Sequence, residues 1–116
     1  MAKARQFMDA AETTELMRDS DEDSLDALIT LWIHAAIAAT DVICCAMLGR
    51  HAKGNDHSEA IHLLGQVRPD MTNNLYTLLS LKTRSGYTAV PSTTAEARRA
   101  KRAAEALVAC ANDCVI

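Results

Sequence analysis

Apolar residues recur at intervals of three or four along most of the chain, which is the period of helices with one buried face. The pattern predicts helices at about 3–18, 24–49, 56–68, 71–82 and 94–112. A polar segment at 19–24, the proline at 69 and a loop at 83–92 separate them. The predicted fold is therefore all-α: a five-helix, up-and-down antiparallel bundle that forms a single domain over 1–116.

The second predicted helix is the most apolar part of the chain. Between Leu28 and Leu48, 17 of 21 residues are apolar, which is enough to span a bilayer. His34 and Asp41 interrupt the run, and an aspartate near the bilayer centre costs about 2.5–3.5 kcal/mol. The pattern therefore favours a long central helix of a bundle over a membrane span, with Gly49 ending it.

Two later helices carry start signals. Asp56 with Glu59, and Thr93 with Glu96, have the spacing of a capping box, in which each side chain bonds the other residue's backbone N–H.

Composition agrees with helices. The chain has 21 Ala and 12 Leu, but only four aromatic residues. Alanine and leucine are strong helix formers, whereas sheets favour the β-branched and aromatic residues that are scarce here.

The charge distribution limits the function classes. Fifteen acidic residues against 12 basic ones give a net charge of −3, which excludes a general coat for duplex nucleic acid. Four aromatic residues are too few for a base-stacking platform. Basic residues do cluster locally near the C-terminus, and Arg98 and Arg102 in that cluster are candidates for binding a phosphate or an acidic partner.

The four cysteines are predicted to be reduced, mostly buried thiols of a cytoplasmic protein, since no apolar leader segment follows the first residues. Cys110 and Cys114 could join Cys44 or Cys45 in a zinc site, but adjacent helical residues point about 100° apart.

Glu59 and His62 have the spacing of a di-iron motif without a matching pair elsewhere. We predict no metal and no cofactor.

Three segments carry a family resemblance: Ile37–Asp41, His57–Leu64 and Leu81–Tyr87, the last standing before an Ala- and Arg-rich final helix. With them, residues 28–110 resemble the HEPN superfamily, small helical domains that include ribonuclease toxins, inactive relatives and partners of nucleotidyltransferases. More narrowly, the chain is similar to a group of actinobacterial HEPN-like proteins.

The resemblance implies a catalytic motif of an arginine, four to six residues, and a histidine. A neutral histidine can take the proton from a ribose 2′-hydroxyl while a guanidinium holds the phosphate. Arg50 and His57 fit this spacing, with Lys53 between them. The family's usual position, before the last helix, offers Lys82 and Arg84 but has Gly86 in place of the histidine.

Asp41 is a further candidate site residue, independent of the Arg50 and His57 motif. A carboxylate buried in an apolar helix needs a hydrogen-bonding or charged partner. Arg84, Lys82, Tyr87 or an arginine of a second subunit could supply it. The acid is interpreted either as a hydrogen-bonded structural group or as part of a functional groove, and His34 as a core or interface group.

These observations leave two main hypotheses. The first is a non-catalytic interaction module that acts as a homodimer, with a possible cognate protein partner, in a toxin–antitoxin, defence or regulatory system. The acidic charge and Gly86 favour it, and the apolar surface of the second helix favours a dimer. The alternative is a metal-independent endoribonuclease that uses His57 as base and Arg50 to hold RNA, with Lys53, Lys82, Arg84, Arg98 and Arg102 as further contacts. A nucleic-acid-binding regulator is a third hypothesis, which the lack of net positive charge disfavours.

Overall fold

A computed structural model describes residues 1–17, 25–53, 56–87 and 92–115, and for 82–87 only the backbone path. Five α-helices and no strand occur within these ranges, so the predicted all-α class is confirmed. The helices are α1 (Ala2–Met17), α2 (Leu25–Leu48), α3 (His57–Val67), α4 (Thr72–Tyr87) and α5 (Thr94–Cys114). A short 3₁₀ turn, Pro69–Met71, joins α3 to α4.

α4 is longer than the sequence pattern indicates. The predicted helix ends at about 82, but the helical backbone continues to Tyr87, so the predicted loop is wrong over 83–87, while its part at 88–91 lies outside the described residues. No proline interrupts this stretch before residue 91, and one glycine in a helix costs only about 1 kcal/mol.

The helix ends agree with most of the predicted signals. Gly49 follows α2 with a positive φ of 76°, the left-handed conformation that glycine adopts without strain. Thr93 and Glu96 form the complete capping box at α5. At α3 only half of the box forms, because the Asp56 side chain accepts from the Glu59 N–H while the Asp56 N–H donates to the Lys53 carbonyl.

α2 is the central helix, as predicted. Its length and composition would allow a membrane span, but 61% of its most apolar 18-residue window is buried against the other helices, as in a core helix. Trp32, Ile33 and Ile43 are at most 2% exposed and Ile37 is partly buried. Much of the apolar surface that suggested a dimer is thus covered within one chain.

Contacts between α1 and α2 set their relative direction. Phe7 stacks on His34 with 5.1 Å between ring centroids, while Lys3 lies beside Asp41, nearer the end of α2. α1 therefore runs antiparallel to α2 and packs on the face that carries both His34 and Asp41.

α5 runs in the same direction as α2. Ser92, just before α5, donates a hydrogen bond to Asp26 in the first turn of α2, and Val115, just after α5, lies beside Val42 and Ala46. In a strictly alternating bundle the second and fifth helices would run in opposite directions. The predicted up-and-down order is therefore not confirmed.

Candidate functional site

Asp41 is only half-buried. Its side chain is 41% exposed, so the expectation of a buried carboxylate is wrong. The reason is that only the first turn of α1 reaches this level of α2, and it leaves the carboxylate beside a groove. Among the described residues the carboxylate accepts no hydrogen bond, and the imidazole of His51 lies beside it, with 3.9 Å between Nδ1 and Oδ1.

His51 is a site residue that the sequence analysis missed. It follows Gly49 by two residues, in the turn that leads the chain back past the end of α2. Its Nδ1 lies 2.8 Å from the carbonyl oxygen of Ala52, so Nδ1 carries a proton and donates there. This bond fixes the ring beside Asp41 without giving the carboxylate a hydrogen bond.

The groove beside Asp41 has a volume of about 520 Å³. Its walls come from the first turn of α1, the last turns of α2, His51 and the residue after α5. The apolar lining residues are Met1, Ala4, Ala38, Val42, Ala46 and Val115, and the others are Lys3, Asp41, Cys45 and His51. A groove of this size with apolar walls and a few polar groups is typical of a binding site. We call it the Asp41 groove.

Electrostatics mark Asp41 as the unusual group in this groove. Partial burial raises the pKa of its carboxyl group above the usual value, and the charges of His51 and Lys3 lower it only in part. Burial, together with the Asp41 charge, also raises the pKa of the neighbouring Cys44 thiol to about 11. Both shifts show that partial burial disfavours the ionised form of these two groups in the free chain.

On its other side, Asp41 borders a small enclosed hollow of about 20 Å³, which has room for about one water molecule. His57 and Asp56 also line this hollow. The structure thus brings His57 close to Asp41, two candidates that lie 16 positions apart.

The predicted Arg50 and His57 pair is not brought together in the same way. His57 also borders a second hollow, which lies between α3 and α4. Arg50 is exposed and lines neither of these two hollows. It makes no hydrogen bond or ion pair with the described residues. Lys53 is exposed as well.

The other predicted RNA contacts do not converge on the Asp41 groove. The side chains of Lys82, Arg84 and Tyr87 lie outside the described residues. The predicted pairing of these residues with Asp41 and their predicted RNA contacts therefore stay predictions. Arg98 and Arg102 are exposed in the first half of α5, whereas the groove is at its far end.

Within the described ranges, no three His, Cys, Asp or Glu side chains are placed to hold a metal ion. His62 contacts Gln66, with 3.1 Å between the two nitrogens, and Cys110 accepts a hydrogen bond from Arg68 at 2.9 Å. The four cysteines form no disulfide with one another. Cys44 and Cys110 are buried, Cys45 is exposed, and Cys114 is partly buried.

No family model, no curated protein and no solved structure matches this chain.

Proposed function

We propose that this protein is a non-catalytic, HEPN-like interaction module that acts as a homodimer in a toxin–antitoxin, defence or regulatory system. The observation that carries the proposal is the Asp41 groove: apolar walls around a half-exposed carboxylate that accepts no hydrogen bond from the described residues. Apolar surface beside an incompletely paired charge is what a partner surface offers before its partner binds.

The placement of the ribonuclease candidates supports a non-catalytic role. A general base and the group that holds the phosphate must reach the same scissile bond. His57 borders the hollow beside Asp41 and a second hollow between α3 and α4, and Arg50 borders neither.

A cleavage assay tests the absence of catalysis. The purified protein is incubated with tRNA in EDTA, beside His57→Ala and Arg50→Ala variants, and we expect no difference among the three in the rate of tRNA loss. Cleavage that resists EDTA and is lost in both variants would contradict the proposal and establish the endoribonuclease alternative.

A matched pair of surface variants tests the partner surface. Ala46 lines the groove and Ala109 is exposed on α5, away from it. Ala46→Arg fills the groove, whereas Ala109→Arg adds the same side chain elsewhere. In co-purification with the products of adjacent genes, and in light scattering of the protein alone, we expect Ala46→Arg to lose association and Ala109→Arg to retain it. Equal behaviour of the two variants would place the partner surface elsewhere.

A further inference from the structure

The surface around the Asp41 groove carries one charge of each sign on different helices. Lys3 belongs to the first turn of α1 and Asp41 to α2, and both line the groove. Lys3 is exposed and forms no ion pair with the described residues, although its charge lowers the pKa of Asp41 through space. The same patch therefore contains a cation and an anion that are both available to a partner.

A patch of this kind is complementary to itself. In a two-fold dimer the same surface meets its own copy, so that residue i of one protomer faces residue j of the other and the reverse. From this charge pattern we infer that a second copy of the chain covers the Asp41 groove, with Lys3 of each protomer paired with Asp41 of the other. The inference rests on the proposed homodimer and names its interface.

The apolar residues around the groove fit the same arrangement. Val115, which lines the groove, is 50% exposed, although large apolar side chains are normally more buried. The small side chains Ala38 and Ala46 leave the space between them open. Each protomer thus presents both a hollow and an exposed apolar side chain, Val115, that would pack against its partner.

Other exposed apolar residues do not offer this combination. Leu16 and Met17 are 85% and 79% exposed at the opposite end of α1, and Tyr76 is 64% exposed on α4. None of these three lines the Asp41 groove, where the Lys3 and Asp41 charges lie.

Exchanging the two charges between protomers tests the interface. Lys3→Glu places two acids together at each contact, and Asp41→Lys places two lysines together, so we expect each variant alone to dimerise at least about tenfold more weakly than the wild type. Mixing the two variants restores an opposite-charge pair at both contacts. Sedimentation at micromolar concentration should therefore show a heterodimer with near wild-type affinity.

A double variant, Lys3→Glu with Asp41→Lys, is expected to dimerise as well as the wild type. Arg99→Glu and Glu105→Lys serve as controls, because both residues are exposed on α5 and neither lines the groove. We expect these two to leave the dimer affinity unchanged. Circular dichroism of every variant checks that each is folded, and Ala46→Arg weakens the same interface without a change at either charge.

The outcomes separate this inference from the function on which it rests. A wild-type dimer that the double variant restores but the mixture does not would place the Lys3–Asp41 pair within one chain and overturn the inference, while leaving the homodimer intact. If the dimer affinity is unchanged in Lys3→Glu, Asp41→Lys and Ala46→Arg, the interface lies elsewhere and the inference is overturned. A wild-type protein that stays monomeric at every concentration tested would overturn both.

Discussion

The two halves of α2 are similarly apolar in sequence, yet the rest of the chain covers them very differently. In the first half, Trp32 is fully buried, and the start of α5 is joined to α2 by the hydrogen bond from Ser92 to Asp26. In the second half, Cys45 and Ala46 are exposed and line the Asp41 groove. We call these the closed half and the open half.

The two halves of α2 contact different parts of the neighbouring helices. α1 packs along the closed half but contributes only its first turn to the groove at the open half, and among the described residues Val115 alone extends α5 beside it. Helix periodicity reports that a face is apolar, but not which neighbour covers it. The open half is thus where apolar surface remains for a partner.

The largest expected effect on stability comes from removing the Trp32 side chain in the closed half. Trp32→Ala should lower the free energy of unfolding by about 3–5 kcal/mol, because a large, fully buried side chain is replaced by a cavity. Val42→Ala in the open half should cost less than about 1.5 kcal/mol, because Val42 is only partly buried. Urea unfolding followed by circular dichroism measures both.

If Val42→Ala is as damaging as Trp32→Ala in monomeric protein, the halves are equally packed and the comparison fails. Trp32→Phe refines the first result. The indole N–H of Trp32 has no hydrogen-bond partner among the described residues, so Phe loses volume but no hydrogen bond. It should be milder than Trp32→Ala.

The next largest effect compares two adjacent thiols. Cys44 is 1% exposed with a pKa of about 11, while Cys45 is exposed in the groove. Burial and the raised pKa keep the Cys44 thiol protonated at mildly alkaline pH, so labelling of the exposed Cys45 with a disulfide reagent should be at least about 100-fold faster. Stopped-flow labelling of Cys44→Ser and Cys45→Ser variants assigns the phases.

A fast phase that survives Cys45→Ser but disappears in Cys44→Ser would reverse this assignment. The experiment also bears on the interface, because a second copy over the groove would cover Cys45. Its labelling should then slow as the protein concentration rises, while labelling at Cys114 serves as an internal reference.

Much of the fold could be predicted from local sequence signals. The Thr93 and Glu96 spacing located the start of α5, and Gly49 located the end of α2, because caps and left-handed glycines act within a few residues. The extension of α4 to Tyr87 was missed. Turn-forming residues such as Gly86 are only weak helix breakers when the helix is packed against others.

The candidate site was less predictable, because it depends on which residues different helices bring together. Asp41 was found from its position in an apolar run, but its exposure depends on where α1 starts. His51 carries no sequence signal beyond its place after Gly49. The Arg50 and His57 spacing fits a family motif, yet spacing alone does not place two side chains beside the same hollow.

A third prediction compares the capping glutamates, one near each half of α2. The Glu96 side chain is buried and accepts a hydrogen bond from the Thr93 N–H, whereas Glu59 does not bond the Asp56 N–H, which the Lys53 carbonyl satisfies instead. Glu96→Ala should therefore cost about 1 kcal/mol or more, and Glu59→Ala less than about 0.5 kcal/mol. Thermal unfolding at a single pH measures both; equal losses would mean that the α3 box closes in solution.

The smallest expected effect is the pH dependence that Asp41 adds to the stability of the monomer. Because burial raises its pKa in the folded chain, folding favours the protonated carboxyl group. The stability it contributes is complete below the unfolded pKa of about 3.9 and is lost as the pH rises through the higher folded value. Since the side chain is 41% exposed, the loss should be under about 1 kcal/mol.

Asp41→Asn measures this effect, because the titratable groups that face Asp41 from the other elements (Lys3, His51, Asp56 and His57) stay in both proteins. In dilute, monomeric protein, wild type should lose stability relative to Asp41→Asn as the pH rises from about 4 toward neutral, and then run parallel to it. A difference that does not change with pH would show that the environment of Asp41 favours neither form. In concentrated protein the trend should reverse, because Lys3 of a second copy stabilises the ionised carboxylate and the dimer tightens over the same pH interval.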